Sequence, residues 1–409
     1  MAVTDGVDPG RAAAQEQREL PAADGPAAGS SEKFEFALVR DRAHFDALEE
    51  EWSALFARAG RPQQVFQTYN WLRHWANHYL DDTTSLAIVI ARVGGRLVMI
   101  WPLVAMRRAG LTRLCWMGEP VSQYGDVLVE EGPSRFHLLS RGWAYVKSLD
   151  ADVIHLRKTR EDAVVFPLLK EAGAVSIAAA AAPYLDLSIA PDYESYQRRS
   201  AGKTRARRRR LRRRLEEVGT VVFEHRECGA AAANLVASGL MLKQKWLVER
   251  GVVAPVIEDI RFGRFLREVA AAGGDSPGIC VSAVSCNGEP AAVEVSLECK
   301  GHRIAYLISY DIELAKYGVG IIVAEYSIRT AYQRRLLRFD LLTPADAYKM
   351  EWADACVDVH DWAVPLSQAG SLYARLWLCL IHKWMKSRIK TFPAWSRRCL
   401  AAFYRWRHA

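Results

Sequence analysis

The stretch Arg303–Tyr332, RIAYLISYDIELAKYGVGIIVAEYSIRTAY, passes from a β-rich run through a glycine-containing turn straight into a helical pattern. Before it, GICVSAVS turns at Asn287-Gly288 into EPAAVEVSLE, which turns at Gly301-His302 into the quoted strand. An Asn-Gly pair tolerates the positive φ of a tight hairpin, so these three runs predict a β-meander. After it, a helix over Gly320–Arg335 gives way to a strand over Leu337–Leu342. A strand that leads through glycines to a helix N-terminus makes an anion site, because the first backbone N–H groups are unpaired and the helix dipole is positive there. Gly318 and Gly320 let the backbone approach a pyrophosphate, with Val319 and Ile321 in the same turn and Lys316 adding charge from the side.

The order around this segment occurs twice. A strand over Thr220–Glu227 and helices over Ala230–Arg250 and Arg261–Ala272 precede the meander. In the first half a strand over Phe34–Arg40 is followed by two amphipathic helices, one carrying Phe45, Leu48, Trp52, Leu55 and Phe56 and the other spanning Phe66–Leu80. SLAIVIARV and RLVMIWPLVAM then form a hairpin about Gly94-Gly95, and a strand over Leu111–Met117 continues it. A helix over Pro133–Leu149, a strand over Asp152–Arg157, a helix over Glu161–Ala172 and a strand reaching Leu187 close that half. The repeated order predicts an α/β (α+β) fold of two tandem lobes, each a mixed, mostly antiparallel sheet flanked by helices. The expected boundaries are a disordered tail at 1–31, a first lobe at 32–190, a basic linking helix at 191–218, a second lobe at 219–366 and a basic Trp-rich segment at 367–409. The first half has no Gly-x-Gly before a helix, so the anion site falls in the second.

Charge is concentrated in two places. Arg198–Arg214, RRSAGKTRARRRRLRRR, holds 11 Lys or Arg and no acid, and Ser371–Ala409 holds nine more, also without acid. The formal net charge is +8, so the rest of the chain is net acidic. Localised positive charge points to localised anionic partners. Like charges at i,i+4 destabilise a helix by a few tenths of a kcal/mol each, so something anionic is expected to offset the linker; Arg208, Arg209 and Arg212 are its candidate anion-binding residues. In the C-terminal segment Trp377, Trp384, Trp395 and Trp406 alternate with cations, a pattern suited to an anionic membrane interface.

No apolar run approaches the roughly 20 residues needed to span a bilayer, and the first residues lack a signal-peptide core. Eight cysteines without a C-x-x-C pair predict free thiols in a reducing, cytoplasmic setting. His74 and His78 stand at i,i+4, yet the intervening WAN lacks the Glu of H-E-x-x-H, and no metal is expected. No G-x-S-x-G elbow or P-loop is present, which excludes serine hydrolase and NTPase readings.

Acid/base candidates are few. Along EPAAVEVSLE, Val293, Val295 and Leu297 share one face while Ala292, Glu294 and Ser296 share the other, so Glu294 projects from a central strand. Asp340 lies between Phe339 and Leu341; its structural alternative is an ion pair with Lys349 or a loop cap. Tyr310 ends the meander, and Tyr348, Lys349 and Trp352 follow in DAYKMEW.

The meander, the glycine loop feeding a helix, the strand RFDLL and the downstream DAYKMEW together resemble the GNAT-superfamily acyltransferases of the FemAB-like type. They are most similar to the bacterial group associated with cellulose and other exopolysaccharide biosynthesis, the BioF2-like acetyltransferase domain. The resemblance spans about Phe34 to Val364. It implies paired GNAT-like halves, one of them active, and transfer of an acyl group from acyl-CoA (acetyl-CoA) as co-substrate to an amine, such as an amino sugar of a surface polysaccharide. Catalytic roles then fall on Glu294, Asp340, Tyr310 and Lys349, donor binding on Lys316 and Gly318–Ile321, and acceptor or anion binding on the linker arginines, Tyr348 and Trp352. One departure stands out: where the family's loop has Gln or Arg, this chain has Ala315 beside Lys316. Two other readings stay open, a FemAB-like aminoacyltransferase that uses charged tRNA and a non-catalytic polyanion-binding scaffold. The expected location is cytoplasmic, with a peripheral position on the inner membrane face.

Overall fold

The computed structural model describes residues 33–272 and 278–381; the tail expected at 1–31 and most of the Trp-rich segment, including Trp384, Trp395 and Trp406, lie outside them. The first half contributes β1 (Glu35–Val39), β2 (Thr84–Leu86), β3 (Ile88–Val93), β4 (Arg96–Trp101), β5 (Leu103–Arg108), β6 (Leu111–Trp116), β7 (Leu128–Val129), β8 (Val153–Arg160) and β9 (Val175–Asp186). The second contributes β10 (Val221–Glu227), β11 (Gly278–Cys286), β12 (Glu289–Cys299), β13 (His302–Tyr310), β14 (Arg338–Asp340) and β15 (Ala355–Pro365). Six helices position the site: α1 (Tyr69–Tyr79), α2 (Gly202–Glu216), α3 (Ala230–Arg250), α4 (Ile260–Ala271), α5 (Val319–Gln333) and the single turn α6 (Ala347–Met350).

The strands form a small sheet, β1-β3-β4-β7, and an 11-stranded sheet ordered β10-β11-β12-β13-β14-β9-β15-β8-β6-β5-β2. The run RLVMIWPLVAM, expected to be one strand, is divided between them. Pro102 has no N–H for a ladder, so β4 stays in the small sheet and β5 starts the other.

The large sheet is a near-mirror of two halves about its centre. Each half ends in a short parallel pair, β13 with β14 in one and β6 with β8 in the other. The next strand of each half then crosses over: β9 pairs with β14, β15 pairs with β8, and β9 and β15 pair with each other. Strand β15 was not read from the sequence, although Val357, Val359 and Trp362 face inward along it.

One apolar cluster runs through both halves, from Phe45 and Trp52 to Phe265 and Val295. Trp71 of α1 meets Phe265 of α4 edge-on, with ring centroids 4.8 Å apart. The same two helices are joined by Glu268, whose carboxylate meets His74 Nδ1 at 2.7 Å and His78 Nε2 at 2.5 Å. The histidine pair that had metal spacing is thus an inter-half clasp.

A second clasp lies at the sheet centre. Arg160 of β8 donates to Asp340 of β14 at 2.6 Å, Tyr124 donates to the same carboxylate at 2.9 Å, and all three side chains are buried. Breaking a buried ion pair from one side leaves an uncompensated charge and costs about 3–5 kcal/mol. Arg160→Met is therefore expected to lower the urea-unfolding free energy by about that amount, whereas Arg209→Gln on the exposed side of α2 should change it by less than about 0.5 kcal/mol.

Candidate active site

Between β13 and β14 the sheet opens. The parallel register holds only from His302–Arg338 to Ile304–Asp340. Across β12 the register of β13 then slips, Ser296 facing Ala305 and Val295 facing Leu307, so Tyr306 is an extra residue. Such a bulge bends the strand and ends its pairing on one side. β13 continues to Tyr310 while β14 turns away, leaving a wedge under α5.

The wedge has a polar floor. Glu294 is 1% exposed on the α5 side of β12. Ser296 and Ser327 both donate to its Oε1, at 2.8 and 2.5 Å, and its Oε2 has no hydrogen-bond partner. Burial raises the carboxyl above the usual range, partly opposed by the hydrogen bonds from Ser327 and Ser296. Oε2 is thus a buried, basic oxygen aimed into a cavity lined by Phe339, Tyr348, Lys349 and Trp352. Lys349 donates to the Leu342 carbonyl at 3.0 Å, and burial lowers its pKa. Tyr348, half exposed, stands at the mouth.

The other candidates are placed differently. Asp340 points to Arg160 and Tyr124 and caps its own loop by accepting from Leu342 N–H at 2.8 Å; it does not line the cavity, and Lys349 is not its partner. Tyr310 accepts from Trp246 Nε1 at 3.0 Å, on the side towards α3. The glycine loop has the expected form: the chain reaches α5 through Gly318 at φ +70°, and the helix begins at Val319 without a side-chain cap. The N–H groups of Val319 and Gly320 are left for an acceptor, while those of Gly318 and Ile321 donate to the Ala315 and Gly318 carbonyls, each at 2.9 Å. Lys316 lies against the Tyr317 ring, 5.1 Å from its centroid.

The basic linker is helical and partly buried. It comprises a short helix, Tyr193–Arg199, and then α2, which packs against α5, the Gly318 loop and Trp352, the last of these bordering the Glu294 cavity. Arg208 is 4% exposed, with its guanidinium carbon 3.4 Å from the Trp352 ring centroid. Leu211 lies over Gly318, Arg214 over Tyr317, and Leu215 is buried beside Val319, Ile322 and Val323. Arg212 stacks on Phe223 and pairs with Glu216 at 2.9 Å, while Arg209 is exposed. With α2 so packed, the Glu294 cavity measures only about 20 Å³, room for about one water.

A much larger cavity, about 570 Å³, lies between first-half residues and Arg261, Asp361, Tyr373 and Trp377 and shares no residue with the Glu294 cavity. Arg113, Glu119, His155, Arg157 and Asp361 line it beside Trp75. Glu119 is kept above the usual carboxylate range by burial, against Arg157. Sequence reasoning passed over these residues because they lie on different strands and a loop, with no spacing to link them. Among the described residues His225, Cys280 and Glu298 bring ligand-type atoms within 4.8 Å of one another, but Arg303 and Arg334 already hold the Glu298 carboxylate. That carboxylate is not free for a cation.

Gly318 is the residue on which the loop turns. A β-carbon there would stand 2.7 Å from Leu211 Cδ1 in a left-handed conformation that costs a non-glycine residue about 1–2 kcal/mol. Gly318→Ala should lower stability by at least that amount, and adding Leu211→Ala should recover the steric part in a double-mutant unfolding cycle.

Residues 202–350 match the acetyltransferase (GNAT) domain family, a span that begins at α2 and ends at α6. No curated protein matches the chain in sequence. Its fold is similar to that of FemX, with a TM-score of 0.57 at 9% identity over 80% of this chain and 98% of FemX. It is also similar to the C-terminal domain of an Agrobacterium fabrum protein described as a lysylphosphatidylglycerol synthetase, with a TM-score of 0.50 at 10% identity over 81% of this chain and 94% of that one. Residues 202–350 are therefore similar to an acetyltransferase (GNAT) domain, and the chain as a whole has a FemX-like fold.

Proposed function

We propose that the wedge between β13 and β14 receives an activated acyl group and transfers it to an amine, with acetyl-CoA as the donor and an amino sugar of a surface-polysaccharide precursor as the acceptor. The observation that carries this reading is the orphaned Oε2 of Glu294 on the floor of a wedge whose other end is the free N-terminus of α5. The donor's pyrophosphate would lie on the backbone of Gly318, Val319 and Gly320, with Ile321 behind it and Lys316 at the side. The acyl chain would then run along the unpaired edge of β13, where backbone N–H groups can hold the carbonyl oxygen as it gains charge. The amine attacks that carbonyl, the C–N bond forms, the C–S bond breaks, and the amine's proton passes to Glu294. A carboxylate whose pKa is raised by burial is a stronger base than an exposed one, which suits this task. Lys349 and Tyr348 border the reacting group, and Trp352 forms the wall.

The tRNA-linked donor is the second reading. The observation that favours it is the basic helix packed against the Gly318 loop and Trp352, where a polynucleotide end would have to pass. No helix among the described residues is long and apolar enough to cross a membrane. We assign the basic segment 367–409 to peripheral attachment, with Trp377, 43% exposed, at its start. Co-sedimentation with phosphatidylglycerol vesicles should weaken when 371–409 is removed, and equal pelleting of the two proteins would exclude attachment through that segment.

Acetyl transfer followed by thiol release, with acetyl-CoA and glucosamine, tests the chemistry. Glu294→Gln is expected to lower kcat by about 10²–10⁴ with the fold retained. Ser327→Ala removes a hydrogen bond that lowers the Glu294 pKa, so the acid limb of the pH–rate profile should move to higher pH. Full activity in Glu294→Gln would exclude this base.

A further inference from the structure

We propose that Arg208 is a phosphate-binding side chain for the acyl donor, reached when the N-terminal half of α2 lifts from Trp352; this rests on the donor reading above and adds a second element to it. Three observations carry it.

The first is size. A cavity of about 20 Å³ cannot hold the acyl end of any donor, since ligand pockets typically run to hundreds of cubic ångströms. The wedge must open, and α2 packs against its borders, with Arg208 on Trp352 and Leu211 on Gly318.

The second is the state of Arg208 itself. It is nearly fully buried, and neither Nη1 nor Nη2 has a hydrogen-bond partner. The nearby acids are committed elsewhere, Glu325 accepting from Tyr193 and Gln197 and Glu351 pairing with Arg207. Burial pushes the guanidinium pKa down. A planar fork with two unused donor groups is what a phosphate oxygen pair binds in bidentate fashion. The closed form therefore leaves unmade hydrogen bonds that an anionic ligand supplies, which biases the equilibrium towards the open form when such a ligand is present.

The third is how α2 is fastened. Its C-terminal end is anchored by Leu215, fully buried beside Val319, Ile322 and Val323. Its N-terminal end has no side-chain cap, follows a break at Ser200-Ala201, and is held by the Arg208 stack, a 3.6 Å pair between Arg207 and Glu351 and hydrogen bonds from Arg205 to the Arg198 and Ser200 carbonyls. The helix can pivot about Leu215 without unpacking the core.

Pyrophosphate, acetyl-CoA and an RNA hairpin ending in CCA share the phosphate chemistry and separate its sources. Binding of each to the full chain is measured by calorimetry, and hydrogen exchange of 202–211 is followed in parallel. Arg208→Gln should weaken binding of the preferred probe roughly tenfold, and Lys170→Gln, at an exposed cation of the first half, should not. Trp352→Phe, which weakens the closed stack, should raise exchange in 202–211 without ligand and tighten binding; it also serves if Arg208→Gln fails to fold. Bound wild type should exchange faster over 202–211 than free protein. Unchanged affinity in Arg208→Gln together with loss in Gly320→Val would overturn this inference and leave the donor site standing. Equal exchange in 202–211 with and without ligand would also overturn it, and no binding of any probe by the wild type would remove both.

Discussion

The structure depends on the reciprocal crossing of β9 and β15. Each strand leaves the half that precedes it and completes the other half's sheet, so neither half is closed by its own chain. The exchange also fixes where the sheet can open. β14 is held on its outer side by β9 over Asp186, Leu185 and Tyr184, and on its inner side by only three residues of β13. Further opening of the wedge must therefore come from what lies over it and not from separation of the halves, because the Arg160–Asp340 clasp and the Glu268 clasp hold them together.

The basic helix shows how a run of like charges is tolerated. Eleven cations in Arg198–Arg214 would repel one another if all faced solvent. In the fold several are neutralised or stacked: Arg199 with Asp354, Arg207 with Glu351, Arg212 with Glu216 and Phe223, and Arg214 with Tyr317. Only Arg208 is both buried and without an acceptor for its terminal nitrogens, among the described arginines. The charge is thus partly structural and partly held in reserve at one side chain.

Much of this was legible in the sequence, and the parts that were not share a cause. Period-two and period-3.6 patterns with Asn-Gly and Gly-Gly turns gave the meander, the long helices and the loop into α5, because those signals are local. The division at Pro102 was also local, yet the apolar run on both sides of it masked the break. β15 and the exchange were not legible, since which strand a segment pairs with depends on partners nearly 200 residues away. Among the candidate residues, face alternation placed Glu294 on the side of the sheet that α5 covers. The surroundings of Asp340 and Arg208 were not legible, because Arg160, Tyr124 and Trp352 meet them through the fold and no sequence spacing brings them near.

A crystal structure of the full chain with bound coenzyme A tests the account most directly, because the donor is placed beside the Glu294 cavity of about 20 Å³ and not in the cavity of about 570 Å³ beside Glu119 and Arg157. The account predicts the pyrophosphate on the backbone of Gly318–Gly320, the thiol end near Glu294 and α2 displaced from Trp352. Coenzyme A in the larger cavity beside Glu119 and Arg157, with α2 unmoved, would contradict it.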